Sequence, residues 1–131
     1  MLKHAIPPFY RTHIFICTHT VAAPTCCGQR GGMALCLHAR HRVRELRLDG
    51  VCVSQSGCMG RCMSGPALVI YPDNVWYNPQ STVDIDAIIE GHLRCHIVVE
   101  NLRMSTVEPP LPGYDNHALQ HSDTMEKTED V

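Results

Sequence analysis

The chain has no excess of charge of either sign: eleven Lys and Arg stand against thirteen Asp and Glu, a formal net charge of -2. Proteins that bind nucleic acid or membrane surfaces usually neutralise phosphates with a clear surplus of basic residues, so no polyanionic partner is expected. Long apolar runs are missing too. A stretch such as Ala67 to Tyr71 is far below membrane-spanning length, and no membrane association is expected. Nor is there a sustained apolar segment near the start, because Pro7 and Pro8 interrupt Met1 to Tyr10. No secretory leader is expected, and the thiols are expected in a reducing cytoplasm.

Catalytic patterns are equally scarce. No nucleophile stands beside a base, no paired carboxylates lie among glycines, and no phosphate-cradling glycine loop is present. No catalytic residue is assigned, and the chain is expected not to be an enzyme. There is no CxxC redox motif and no internal repeat.

What the chain does have is cysteine, eight in 131 residues. Cys58-Met59-Gly60-Arg61-Cys62 forms a CxxxC turn, and further thiols stand upstream at Cys17 and at the tandem Cys26-Cys27. Soft thiolates divided between two loops suit a small iron-sulfur cluster, which makes a one-electron carrier the leading reading. Such a centre gains negative charge on reduction and needs main-chain donors and limited water around sulfur. Gly57, Gly60 and Gly65 can turn N-H groups toward the thiolates, and Arg61 can offset charge.

The length suits one domain with a real core. His13 to Cys17 reads as a buried strand, and Thr18 to Gly32, with Pro24 and three glycines, as a loop. From Met33 to Leu48 the residues Leu35, Ala39, Val43 and Leu46 recur at helical spacing. Val51 to Gln55 alternates as a strand, and Ala67-Tyr71 with Val75-Tyr77 flanks Pro72-Asp73-Asn74 as a hairpin. Ser81 or Thr82 caps a second helix with Asp84 in its first turn and a stripe of Ile85, Ile88, Ile89 and Leu93. Strand, helix, three strands and helix give an α/β domain with a four-stranded mixed sheet and helices packed on it, the thioredoxin-like layout. Three segments are expected: a leader over 1–10, the domain over 11–104, and a mobile proline-rich, acidic tail over 105–131.

From about Pro8 to Leu102 the chain resembles the thioredoxin-like 2Fe-2S ferredoxins. The resemblance is carried by His13-Ile14-Phe15-Ile16-Cys17-Thr18, by Cys26-Cys27-Gly28-Gln29-Arg30-Gly31, and above all by Ser56 to Cys62 followed by Gly65 to Tyr77. It implies a single 2Fe-2S cluster held by Cys17, Cys27, Cys58 and Cys62, electron transfer with redox partner proteins, and a homodimer. Nine residues separate Cys17 from Cys27, a shorter loop than the family usually carries, which bears on the cover over the iron. Adjacent side chains in an extended loop diverge, so one of Cys26 and Cys27 reaches the centre, and Cys27 is the expected one.

Bland readings are expected for the remaining candidates. Cys36, Cys52 and Cys95 read as small apolar side chains. His92, Cys95 and His96 have helical metal-triad spacing but no fourth ligand, and the histidines are expected at the surface. His19 reads as a loop histidine near the centre rather than a ligand. The basic residues Arg40, Arg42, Arg44, Arg47, His38 and His41 form either a solvated helix face or a dock for an acidic partner. Trp76 and Tyr77 read as core or dimer contacts, with an electron exit route as the other possibility. Two functional rivals stand beside the carrier: a cluster-bearing subunit of a larger dehydrogenase or hydrogenase, and a four-cysteine zinc protein or thiol sensor.

Overall fold

The structure is a computed structural model that describes residues 9–20, 28, 30–61 and 65–104. The sequence expectations for Cys26, Cys27, Cys62, most of the leader and all of the tail fall outside the described residues. Strand β1 is Thr12–Cys17, helix α1 Gly32–Glu45, β2 Val51–Ser56, β3 Leu68–Tyr71, β4 Val75–Tyr77 and helix α2 Thr82–Ile88. A π-helical segment over Ile89–Arg94 and a 3-10 turn over Glu100–Leu102 complete them. This is the expected order, and the sheet is mixed, in the order β2-β1-β3-β4.

Period-two alternation sorts the sheet's side chains onto two faces with different tasks. Ile14, Ile16, Val53, Leu68, Ile70 and Tyr77 face the helices and pack with Leu35, Cys36, Ala39, Val43, Ile85, Ile88 and Ile89 in one core. Their neighbours His13, Phe15, Cys17, Ala67, Val69, Tyr71 and Trp76 therefore lie on the other face. There His13 stacks on Phe15 with centroids 4.4 Å apart, and Phe15 meets Tyr71 edge-on at 6.2 Å.

Helix α1 begins after Gly31, whose φ of 91° is left-handed, and stops three residues short of the expected Leu48. Arg47 adopts φ 53° while the Leu48 and Arg47 amides bond back to the Val43 and Arg44 carbonyls at 3.1 Å each. That Schellman pattern closes the helix ahead of Asp49 and Gly50. The basic face is partly compensated from within: His38 bonds Asp86 of α2 at 2.8 Å, Arg42 bonds Glu45, and Arg40 donates to the Val53 carbonyl of edge strand β2 at 3.2 Å.

Ser81 accepts from the Asp84 amide at 3.4 Å as the N-cap of α2, and Asp84 in turn accepts from the Gln80 amide at 2.8 Å. The single expected helix changes character at Ile89, where the chain widens and the Cys95 amide reaches the Glu90 carbonyl, five residues back, at 3.2 Å. A Cβ on Gly91 would come within 2.7 Å of a Val99 methyl, so the returning chain packs this closely because residue 91 has no side chain. His92 is turned inward by this segment, which corrects its expected place at the surface. It is 5% exposed and bridges Tyr77 Oη at 2.7 Å and Asp73 Oδ2 at 2.6 Å. Cys95 and His96 are exposed, so Cys95 is not the buried apolar filler expected of it. Cys36 is, and burial pushes its thiol pKa up against a smaller opposing pull from Arg40.

Candidate metal centre

Parallel pairing of β1 with β2 decides where the thiols meet. The register runs from Thr12 opposite Val51 to Cys17 opposite Ser56, so both strands deliver their carboxyl ends to one edge of the sheet. Cys17 is the last residue of β1, and Cys58 follows the last residue of β2 by two positions. The edge is tied by backbone: Thr18 donates to the Ser56 carbonyl and Cys17 to the Ala67 carbonyl, each at 3.0 Å. Antiparallel β3 begins at the same edge, so the chain running on from the CxxxC turn returns beside Cys17.

Here the outer face closes into a small apolar cluster. Cys17, Ala67 and Met104 are buried, and Cys58, Met59 and Trp76 pack against them. Cys17 is completely shielded. Gly60, at a left-handed φ of 81°, turns its amide toward the Cys58 sulfur across 3.4 Å. That is the main-chain donor the glycine-bearing turn is expected to supply.

Cys27 and Cys62 lie outside the described residues, but their neighbours are pinned to the same edge. Gly28 donates to the His19 carbonyl at 2.8 Å. A Cβ there would meet the His19 and Thr18 carbonyl oxygens at 2.7 and 2.8 Å and Thr20 Oγ1 at 2.0 Å, a cradle only glycine fits. Arg30 Nη1 donates to the Gly65 carbonyl at 2.8 Å, joining the chain beyond Cys27 to the chain beyond Cys62. His19 itself is exposed. The donor set, a shielded thiol beside one that accepts an N-H bond, fits an iron-sulfur group, whose thiolates are held by such donors within limited water.

Sequence reasoning did not find the roles of Arg30, Met59 and Met104. The Arg30 contact spans 35 positions and Met104 arrives from beyond the last helix, so no local pattern marks either. By sequence Trp76 suits core, dimer contact or exit route equally. The structure sets it against the cysteine cluster. Among the described residues no three His, Cys, Asp or Glu side chains assemble a metal site, Cys17 and Cys58 being the two described thiols of this centre, and His92 is engaged with Tyr77 and Asp73.

The sheet has the thioredoxin-like layout, and it brings the Cys17 end of β1 and the Cys58 turn together. The chain is 34% identical over 107 residues to a 2Fe-2S ferredoxin of Aquifex aeolicus, a match covering 75% of this chain and 93% of that protein. A second relative, a 2Fe-2S ferredoxin of Clostridium pasteurianum, is 39% identical over 54 residues, 41% of this chain and 53% of its own. The crystal structure of the wild-type thioredoxin-like [2Fe-2S] ferredoxin from Aquifex aeolicus superposes with a TM-score of 0.67 at 33% identity, covering 74% of this chain and 99% of that one. No family model matches the chain. The chain belongs to the thioredoxin-like 2Fe-2S ferredoxins.

Proposed function

We propose that Cys17, Cys27, Cys58 and Cys62 hold the single 2Fe-2S cluster of this ferredoxin. The protein is a one-electron carrier and not an enzyme; its cluster, when bound, supplies the redox change, with iron altering its oxidation state by one electron. The observation that carries the ligand assignment is the parallel register that brings the Cys17 end of β1 and the Cys58 turn to one edge. Gly28 and Arg30 support the other two positions by anchoring the chain next to Cys27 and just beyond Cys62.

The residues then have separable tasks. The thiolates bind iron, the Gly60 amide stabilises negative charge on the Cys58 sulfur, and Met59, Trp76 and Met104 form an apolar wall. Anaerobically purified protein is expected to be red-brown, with visible absorbance that bleaches on reduction and about two irons and two sulfides per chain. Cys58→Ser and Cys62→Ser lose or destabilise the cluster, whereas Cys36→Ser, in the helical core, keeps it. A normal cluster in Cys62→Ser would overturn the assignment, and a colourless protein with stoichiometric zinc would replace iron by a full-shell metal.

The reading extends to redox partner proteins, a reducing cytoplasm and a homodimer. Thiolate ligands favour a reducing compartment. Among the described residues no helix is long and apolar enough to cross a membrane. The half-exposed aromatic row of Phe15 and Tyr71 gives a second copy an apolar surface. Tyr71→Glu is expected to yield monomers with a normal cluster, read by sedimentation. The domain itself we place at 11–104, supported by a sheet that starts at Thr12 and an apolar cluster that takes in Met104. A chain ending at Met104 is expected to keep full cluster content.

A further inference from the structure

We infer that Trp76 is a positioning residue whose indole keeps water from the cysteine sulfurs and so holds down the potential at which the centre accepts an electron. This rests on the assignment of Cys17 and Cys58 as ligands.

Trp76 sits opposite Val69 in the β3–β4 pairing, and its neighbour Tyr77 enters the helical core. Alternation therefore sends the indole to the other face, where it packs against the cluster formed by Cys17, Ala67 and Met104. It is the only tryptophan in the chain. Its position is fixed twice. Nε1 donates to Asn74 Oδ1 at 3.1 Å from the hairpin turn, and its main-chain carbonyl accepts from the Met104 amide at 2.8 Å, drawing Met104 into the same cluster. Aromatics of the outer face such as Tyr71 lie away from that cluster.

Reduction adds one negative charge among thiolates that are already negative. Water stabilises the more highly charged state more strongly, so excluding it disfavours reduction. The indole therefore opposes the Gly60 amide: the donor raises the potential, and the apolar cover lowers it. Trp76 is half-buried and packs on the cluster that contains the fully shielded Cys17, the placement an apolar cover over the sulfurs requires.

The test compares Trp76→Phe, Trp76→Leu, Trp76→Ala and the control Tyr71→Ala in the full chain, prepared anaerobically and matched for iron and sulfide content. Midpoint potentials come from dye-mediated titration, and water access from solvent-deuteron couplings in the reduced state. Trp76→Ala is expected to raise the potential and add deuteron coupling. Trp76→Phe should stay near wild type and Trp76→Leu fall between, while Tyr71→Ala shifts nothing. Should the alanine variant not hold a cluster, the leucine and phenylalanine variants carry the comparison. Unchanged potential and couplings in the variants that keep the cluster would overturn the role, as would a phenylalanine shift as large as the leucine one. Emission from this single tryptophan should also fall when the apoprotein is loaded with iron and sulfide; undiminished emission at full loading counts against the placement. Cys17→Ser and Cys58→Ser, run in parallel, separate the two readings. Native spectra in both would remove the ligand assignment, whereas cluster loss there with insensitive Trp76 variants removes only the role of Trp76.

Discussion

The Arg30 guanidinium donates to the Gly65 carbonyl across 2.8 Å, fastening the chain three residues past Cys27 to the chain three residues past Cys62. A charged donor on a partly buried carbonyl contributes more than a neutral one, on the order of 1.5 kcal/mol. Arg30→Ala is expected to retain the fold but lose its cluster several-fold faster to an iron chelator, followed by the decay of visible absorbance. A decay rate equal to wild type would show that the two loops do not depend on this link.

Gly28 makes a harder demand. Because a Cβ would lie 2.7 Å from the His19 carbonyl oxygen and 2.8 Å from that of Thr18, Gly28→Ala must move backbone, at about 1–3 kcal/mol. Reduced iron content with a normal far-ultraviolet spectrum is the expected outcome. Removing the closest side-chain atom in a Gly28→Ala, Thr20→Ala double variant should not rescue it, since both carbonyls remain. Full rescue would place the conflict in the side chain alone.

At Gly60 the left-handed φ of 81° and the amide aimed at the Cys58 sulfur act together. Gly60→Ala places a Cβ in that region at a cost of about 1–2 kcal/mol. Relaxation of the turn weakens the bond to sulfur. The midpoint potential is expected to fall, opposite in sign to the shift from Trp76→Ala, and a titration that finds it raised would refute the role of this donor.

Away from the centre, Tyr77 Oη meets His92 Nδ1 at 2.7 Å and accepts from the Val99 amide at 3.1 Å. Tyr77→Phe leaves both without that partner and is expected to destabilise by about 1–3 kcal/mol in urea denaturation. Burial holds the Tyr77 phenol above its ordinary value, only partly offset by its bond to Val99. The folded state thus keeps a proton that the unfolded chain releases near pH ~10. The associated stability is complete below that pH and is lost as pH rises toward the folded value. The phenylalanine variant should show a shallower loss above about pH 10. Equal slopes would separate the phenol from alkaline unfolding.

Much of the fold was legible because its patterns are local. Ile14 and Ile16 alternate with His13 and Phe15, Ser81 announces a helix start, and Asn74 in the hairpin turn takes a φ of 58° that asparagine tolerates. The misreadings occur where a long-range contact overrides the local signal. Helix α1 stops at a left-handed Arg47 although Gly50 lies nearby, and the second helix widens so that His92 can reach Tyr77, 15 positions back. Neither a Schellman closure on arginine nor a π-helical segment has a periodicity that a stripe of isoleucines would reveal.

The order of residues by itself determined which chemistry is available: thiols beside glycines, a CxxxC turn, and strands and helices of set period. Period and residue type are properties of neighbouring positions, so they are complete before the chain folds. Which thiols share an edge, which carbonyl Arg30 finds and which face Trp76 covers were decided only by tertiary structure. Those relations depend on the parallel β1–β2 register and on the order of the strands. The pairing of β1 with β2 sets Thr12 opposite Val51 and Cys17 opposite Ser56, a choice between distant segments that no short stretch of sequence contains.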